Sequence, residues 1–96
     1  MKRPVRITHS LVSLLDALSG APAQWWHGYD LSKETGLKAG TLYPLLSRLE
    51  SMGLLEARWS APQANGRPPR HLYRLTSDGR VFVRDLIATS GAVRAT

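Results

Sequence analysis

The sequence contains no cysteine, which excludes disulfides and thiolate metal sites and gives no sign of an oxidising compartment. No run of about 18 apolar residues occurs, so nothing in it reads as a membrane span. The opening Met1-Lys2-Arg3-Pro4 is basic, but no apolar stretch with a small-residue cleavage site follows, so no signal peptide is expected and the expected address is the cytoplasm. Acids are scarce. There are 7 Asp and Glu against 13 Lys and Arg, a net charge of +6, and residues 57–75 hold no acid at all. Catalytic patterns are missing too. There is no Gly-x-Ser-x-Gly, no Gly-Lys-Ser/Thr closing a phosphate loop and no paired carboxylate arrangement. His9, His27 and His71 are scattered, without spacing for a metal or a catalytic pair. Neither an enzyme nor a cofactor is expected.

What remains is one domain of 96 residues, 43% hydrophobic, enough for a packed core. Its positive charge favours a polyanionic partner, with nucleic acid first, over a mere solubility surplus. Placement supports this, because basic residues gather at Lys2, Arg3 and Arg6, and again at Arg58, Arg67, Arg70 and Arg74.

Residues 28–53 organise the chain. A short helical run ends at Thr35, and Gly36 supplies a turn that favours positive φ. In the longer run that follows, Leu42, Leu45, Leu46 and Leu49 fall at i, i+3, i+4, i+7, one face of a helix. The opposite face offers Thr41, Tyr43, Ser47, Arg48 and Ser51. Two short helices joined by a tight glycine turn make a helix-turn-helix, whose second helix enters a DNA major groove. Tyr29, Leu31 and Leu37 are expected to pack the first helix on the second. Pro44 sits awkwardly in the helical pattern. Either Thr41 is the N-cap, or the helix starts at Ala39 and bends. Gly53 closes it.

Before this unit, Thr8 caps a helix to about Ser19 with Leu11, Leu14, Leu15 and Leu18 facing the core. Residues 23–27 connect, with Trp25 and Trp26 adjacent: one indole inside, the other at a subunit contact or in a ligand cleft, the pocket being shared with the last helix. After it, residues 54–59 read as a strand with Leu55, Ala57 and Trp59 inward. Residues 60–69 form a loop with an Asn65-Gly66 turn, and residues 70–75 return with Tyr73 and Leu75 inward. Thr76 caps a last helix with Asp78 in its first turn and a stripe of Phe82, Val83, Leu86 and Ile87, and Ser90-Gly91 ends the ordered chain. The expected architecture is mainly α with a two-stranded β wing (α+β): a basic arm over 1–7, a winged helix-turn-helix over 8–76, and a short C-terminal helix and tail over 77–96.

Four strings are distinctive: Gly28-Tyr29-Asp30-Leu31, Thr41-Leu42-Tyr43-Pro44-Leu45-Leu46-Ser47-Arg48-Leu49-Glu50, Gly53-Leu54-Leu55 and Tyr73-Arg74-Leu75-Thr76-Ser77-Asp78-Gly79-Arg80. Together they resemble the PadR family of bacterial transcriptional regulators, from about His9 to Leu86. The resemblance implies a homodimeric winged-helix repressor on a pseudo-palindromic operator of double-stranded DNA. It implies a recognition helix over 39–52, with Thr41 and Tyr43 at backbone or base edges, Arg48 on a phosphate, and Arg67 and Arg70 in the wing. It also implies a dimer built by the last helix with the first, through Leu11, Phe82, Val83, Leu86 and Ile87. Lys38 stands where the family often has a serine cap.

On this reading Lys38, Arg58, Arg67 and Arg70 supply affinity through phosphates. Bases are read from the exposed side of residues 39–47, including Ala39, Gly40, Thr41, Pro44 and Ser47. That side has no Asn or Gln for adenine, so part of the specificity is expected from DNA shape. The paired indoles, Trp25 and Trp26, suggest a small aromatic or cationic effector. The competing reading is a winged helix that docks a protein without reading DNA. An RNA-binding winged helix is a third option, for which the only stacking candidates are the tryptophans.

Overall fold

The computed structural model describes residues 7–61, 65–66 and 69–89. The expected arm (apart from Ile7), Arg67 and the Ser90-Gly91 stop lie outside the described residues.

Helix α1, His9–Gly20, starts where expected: the Thr8 hydroxyl accepts the Leu11 N–H at 3.1 Å. This satisfies one orphan donor of the first turn. Leu11, Leu14, Leu15 and Leu18 are buried on one stripe. Helix α2, Gly28–Thr35, ends at Gly36 with φ 76°, whose N–H bonds the Ser32 carbonyl at 2.8 Å. Only glycine takes that backbone shape without strain. Hydroxyls then wire the turn. Ser32 Oγ donates to the Leu37 carbonyl at 2.6 Å, Thr35 Oγ1 donates to the Leu31 carbonyl at 2.6 Å, and Leu37 N–H donates to Thr35 Oγ1 at 3.1 Å.

Helix α3 runs Ala39–Ser51. Of the two positions open to Pro44, the second holds: the helix begins at Ala39, and Lys38 is the N-cap, with no side-chain cap bond. Proline at residue 44 withholds an N–H from the Gly40 carbonyl. Both residues are exposed, so water can serve that carbonyl. The helix closes in a Schellman pattern, with Leu54 N–H on the Leu49 carbonyl and Gly53 N–H on the Glu50 carbonyl, both at 3.0 Å.

Strands β2, Leu55–Trp59, and β3, His71–Leu75, form the expected antiparallel hairpin, in register Leu55 with Leu75 through Trp59 with His71. Three expectations are corrected here. The sheet has three strands, because Trp26–His27, β1, pairs with Tyr73 and Leu72, giving the order β1-β3-β2. Trp59 is 67% exposed rather than inward. Burial fades along β2 from Leu55 outward. Tyr29 is also a correction: it stays on the surface at 65% exposure and does not brace α2 on α3. Helix α4, Ser77–Thr89, begins at Thr76, whose hydroxyl accepts the Gly79 N–H at 2.9 Å and donates to the Gly53 carbonyl at 2.6 Å. The end of α3 is thereby tied to the start of α4.

The core lies where α1, α2 and α3 meet the inner face of the sheet. Leu11, Leu14, Leu18, Leu31, Leu42, Leu46 and Leu49 are fully enclosed, each such side chain contributing roughly 1.5–3 kcal/mol by leaving water. The fold is a winged helix of α+β class.

Candidate nucleic-acid interface

Burial of Leu42, Leu46 and Leu49 turns the opposite side of α3 to solvent. Lys38, Ala39, Gly40, Thr41, Tyr43, Pro44, Ser47 and Arg48 are all exposed. Helical spacing puts Gly40, Pro44 and Ser47 along the crest. These are small residues that allow close approach but offer little direct base reading. Thr41 and Arg48 flank one side of the crest and Tyr43 the other.

On the Arg48 side, Thr41, Pro44 and Arg48 line a shallow groove of about 350 Å3 with Thr8 and Ser10. On the Tyr43 side, the ring packs against Gly28, at the start of α2. A Cβ added at Gly28 would lie 2.8 Å from carbons of that ring and closer still to its hydroxyl. Tyr43, Gly28, Tyr29 and His27 then join Arg70 and His71 to line a cleft of about 440 Å3 between α3 and the base of the wing.

Arg70 is fixed there by its backbone. Its N–H donates to Ser60 Oγ at 2.8 Å, and the Ser60 N–H donates to its carbonyl at 2.7 Å. Its guanidinium reaches His27 Nδ1 at 3.3 Å. His71 lies between Trp59, whose ring stacks at 4.7 Å between centroids, and Tyr73, whose hydroxyl is 3.0 Å from its Nδ1. Burial pushes the Tyr73 phenol above its ordinary range, and the nearby Tyr43 and Glu50 add to this.

The two indoles part where the chain enters β1 at Trp26. Trp26 packs on the core with its Nε1 buried and unpartnered. Trp25 lies on the outer face, with the guanidiniums of Arg58 and Arg74 at 4.2 and 4.3 Å from its ring. Arg74 also pairs with Glu56 at 3.2 Å. The two rings therefore do not line one pocket: Trp26 packs on the core and Trp25 meets the two arginines. Of the residues expected at a dimer contact, Leu11 is 0% and Val83 7% exposed within the chain, and Val83 lines an open groove with Ile87. Phe82 and Leu86 are half-buried against the core, and Ile87 is 42% exposed.

Sequence reasoning passed over His27, His71 and Tyr29 as site residues. A two-residue strand carries no periodicity, and only its pairing with β3 brings His27 to Arg70, far away in sequence. Among the described residues, no His, Asp or Glu cluster could hold a metal, and no helix is long and apolar enough to cross a membrane.

This geometry has relatives. A PadR family transcription regulator from Clostridium difficile is 25% identical with a TM-score of 0.76, covering 92% of this chain and 93% of that one. A PadR-like transcription factor from Bacteroides fragilis is 30% identical with a TM-score of 0.70, covering 88% and 82%. Bordetella bronchiseptica BpsR, whose DNA binding is regulated by 6-hydroxynicotinic acid, shares the fold at 24% identity and a TM-score of 0.72, over 94% of this chain and 60% of that one. No curated protein matches the sequence. The family model described as transcriptional regulator PadR-like matches residues 15–85. With most of the chain matched, from the middle of α1 to late in α4, this protein belongs to the PadR-like family of transcriptional regulators, not to a family of enzymes.

Proposed function

We propose that this chain is a cytoplasmic repressor that binds a pseudo-palindromic operator as a homodimer, and that a small aromatic or cationic ligand releases it. Helix α3 lies in the major groove. Lys38, Arg48, Arg58 and Arg70 take phosphates, with Arg67 assigned to the wing, and the dimer forms through α4. One observation carries the reading: Tyr43 of α3 and Arg70 at the wing base line a single cleft, so the two DNA-facing elements share one surface. The crest of Gly40, Pro44 and Ser47 lacks long readers, so selectivity depends on shape and on two half-sites.

Selection from a random duplex pool tests this. The expected product is a two-fold symmetric consensus with half-sites about 34–36 Å apart or a multiple of that spacing, and an asymmetric product or none overturns the dimer and operator together. The effector part rests on Trp25, the indole on the outer face. A tryptophan-fluorescence screen of aromatic and cationic compounds should show quenching, and silence throughout rejects it. The sparse crest also favours, more weakly, a protein-docking module. A slope of log affinity against log salt near zero on duplex DNA would reject the DNA reading in its favour.

A further inference from the structure

We propose that the cleft between α2, α3 and the wing base seats a backbone phosphate of bound DNA, and that a proton on His27 frees the Arg70 N–H it holds for that phosphate, so that DNA binding takes up a proton. This rests on the DNA-binding reading above and deepens it. Among the described residues, no carboxylate lines the cleft. Its polar side chains are the Arg70 guanidinium, two imidazoles and the Tyr29 and Tyr43 hydroxyls, all able to donate to a phosphate oxygen.

The control follows from hydrogen-bond chemistry. Arginine has no acceptor, so in its contact with Arg70 at 3.3 Å the His27 Nδ1 must accept, which requires a neutral ring. The same Nδ1 lies 3.6 Å from Asp30 Oδ2, on the first turn of α2. A proton on Nδ1 removes the acceptor that Arg70 uses and gives Asp30 a donor. Arg70 is then repelled from the ring, and the N–H that His27 held joins the other guanidinium donors already lining the cleft. An imidazole is the side chain suited to make this change between about pH 5 and 8.

The groups facing His27 are Asp30 and Tyr29 from α2, Tyr43 from α3, and Arg70 and His71 from the wing side. Arg58 shares its sheet face on the far side of Leu72, about 9–10 Å away by strand spacing. A phosphate in the cleft attracts the charged ring and offsets its repulsion from Arg70. By linkage, affinity therefore rises as pH falls, by at most about tenfold per pH unit for each protomer engaged.

The test uses the full chain and a mixed-sequence duplex of roughly 30 base pairs, about three turns, at fixed salt from about pH 5.5 to 8. Affinity should fall as pH rises. His27→Gln should remove most of that dependence while His9→Gln keeps it, and Arg70→Ala should reduce the salt slope by about 1. An unchanged pH profile in His27→Gln, a profile lost in His71→Gln but kept in His27→Gln, or an unchanged salt slope in Arg70→Ala overturns the proposal. In the wild-type chain, duplex addition should raise the pH at which the His27 imidazole titrates by NMR, and no rise overturns it without relying on a variant. Failure of the underlying DNA reading looks different, because the wild-type chain would then show no salt-dependent retention on any duplex.

Discussion

At the scale of single residues, Gly28 decides how the cleft between α2 and α3 is shaped. Its hydrogen leaves room for the Tyr43 ring, and any Cβ there collides with it. Alanine is otherwise acceptable at a helix start, and Tyr43 is exposed enough to swing away. Gly28→Ala should therefore change stability by less than about 1 kcal/mol but weaken duplex binding several-fold. Paired thermal melts and binding titrations check this, and a loss of stability without loss of binding contradicts it. Tyr73 makes a second case. Burial raises its folded pKa, so the neutral phenol's contribution is complete below the unfolded value, about 10, and is lost as pH rises through the folded value. Wild-type stability should decline above about pH 10 more steeply than that of Tyr73→Phe, as measured by denaturant midpoints at each pH.

At the scale of elements, the sheet has two faces with different tasks. The inner face closes the core through Leu55, Leu75 and Tyr73. The outer face holds Trp25 between Arg58 and Arg74, and Glu56 anchors the second arginine. Cation–π contacts at such partly exposed sites contribute about 0.5–1 kcal/mol each. Their larger effect is to restrain Arg58 at the wing. Trp25→Ala should lower stability by roughly 1–2 kcal/mol and weaken DNA binding with little change in the salt slope, because the charges remain. Trp25→Phe should restore most of both, and equal losses in the two variants would show that the ring does not act through the arginines. This face was hard to read in advance. The alternation of residues 55–59 revealed the strand, but a two-residue partner strand has no pattern to detect, and without it Trp25 looked like a connector residue.

At the scale of the whole molecule, α4 packs Val83, Phe82 and Leu86 onto the core and leaves Val81 and Ile87 outward. Beside Ile87 lies a shallow, largely apolar groove of about 290 Å3, running to Ser19 and Pro22 at the end of α1. A homodimer on this face would cover both. Ile87→Glu should shift the sedimentation coefficient to that of a monomer, with a change in stability of the single chain of less than about 1 kcal/mol, and should lower operator affinity at least tenfold. An unchanged sedimentation profile places the dimer contact elsewhere.

The order of helices, their caps and the hairpin were determined by local sequence. Thr8, Gly36, Gly53 and Thr76 each satisfy backbone groups within a few residues, and the leucine spacing of α3 assigns one side to the core, leaving Thr41, Tyr43 and Arg48 outside. Only the tertiary structure decided the direction of Trp25 and Trp26, the exposure of Trp59 and the meeting of His27, Arg70 and Asp30. The physical reason is range. A cap or a helical stripe is set by neighbours within about one or two turns, whereas a cleft between strands and helices depends on pairings whose partners lie dozens of residues apart.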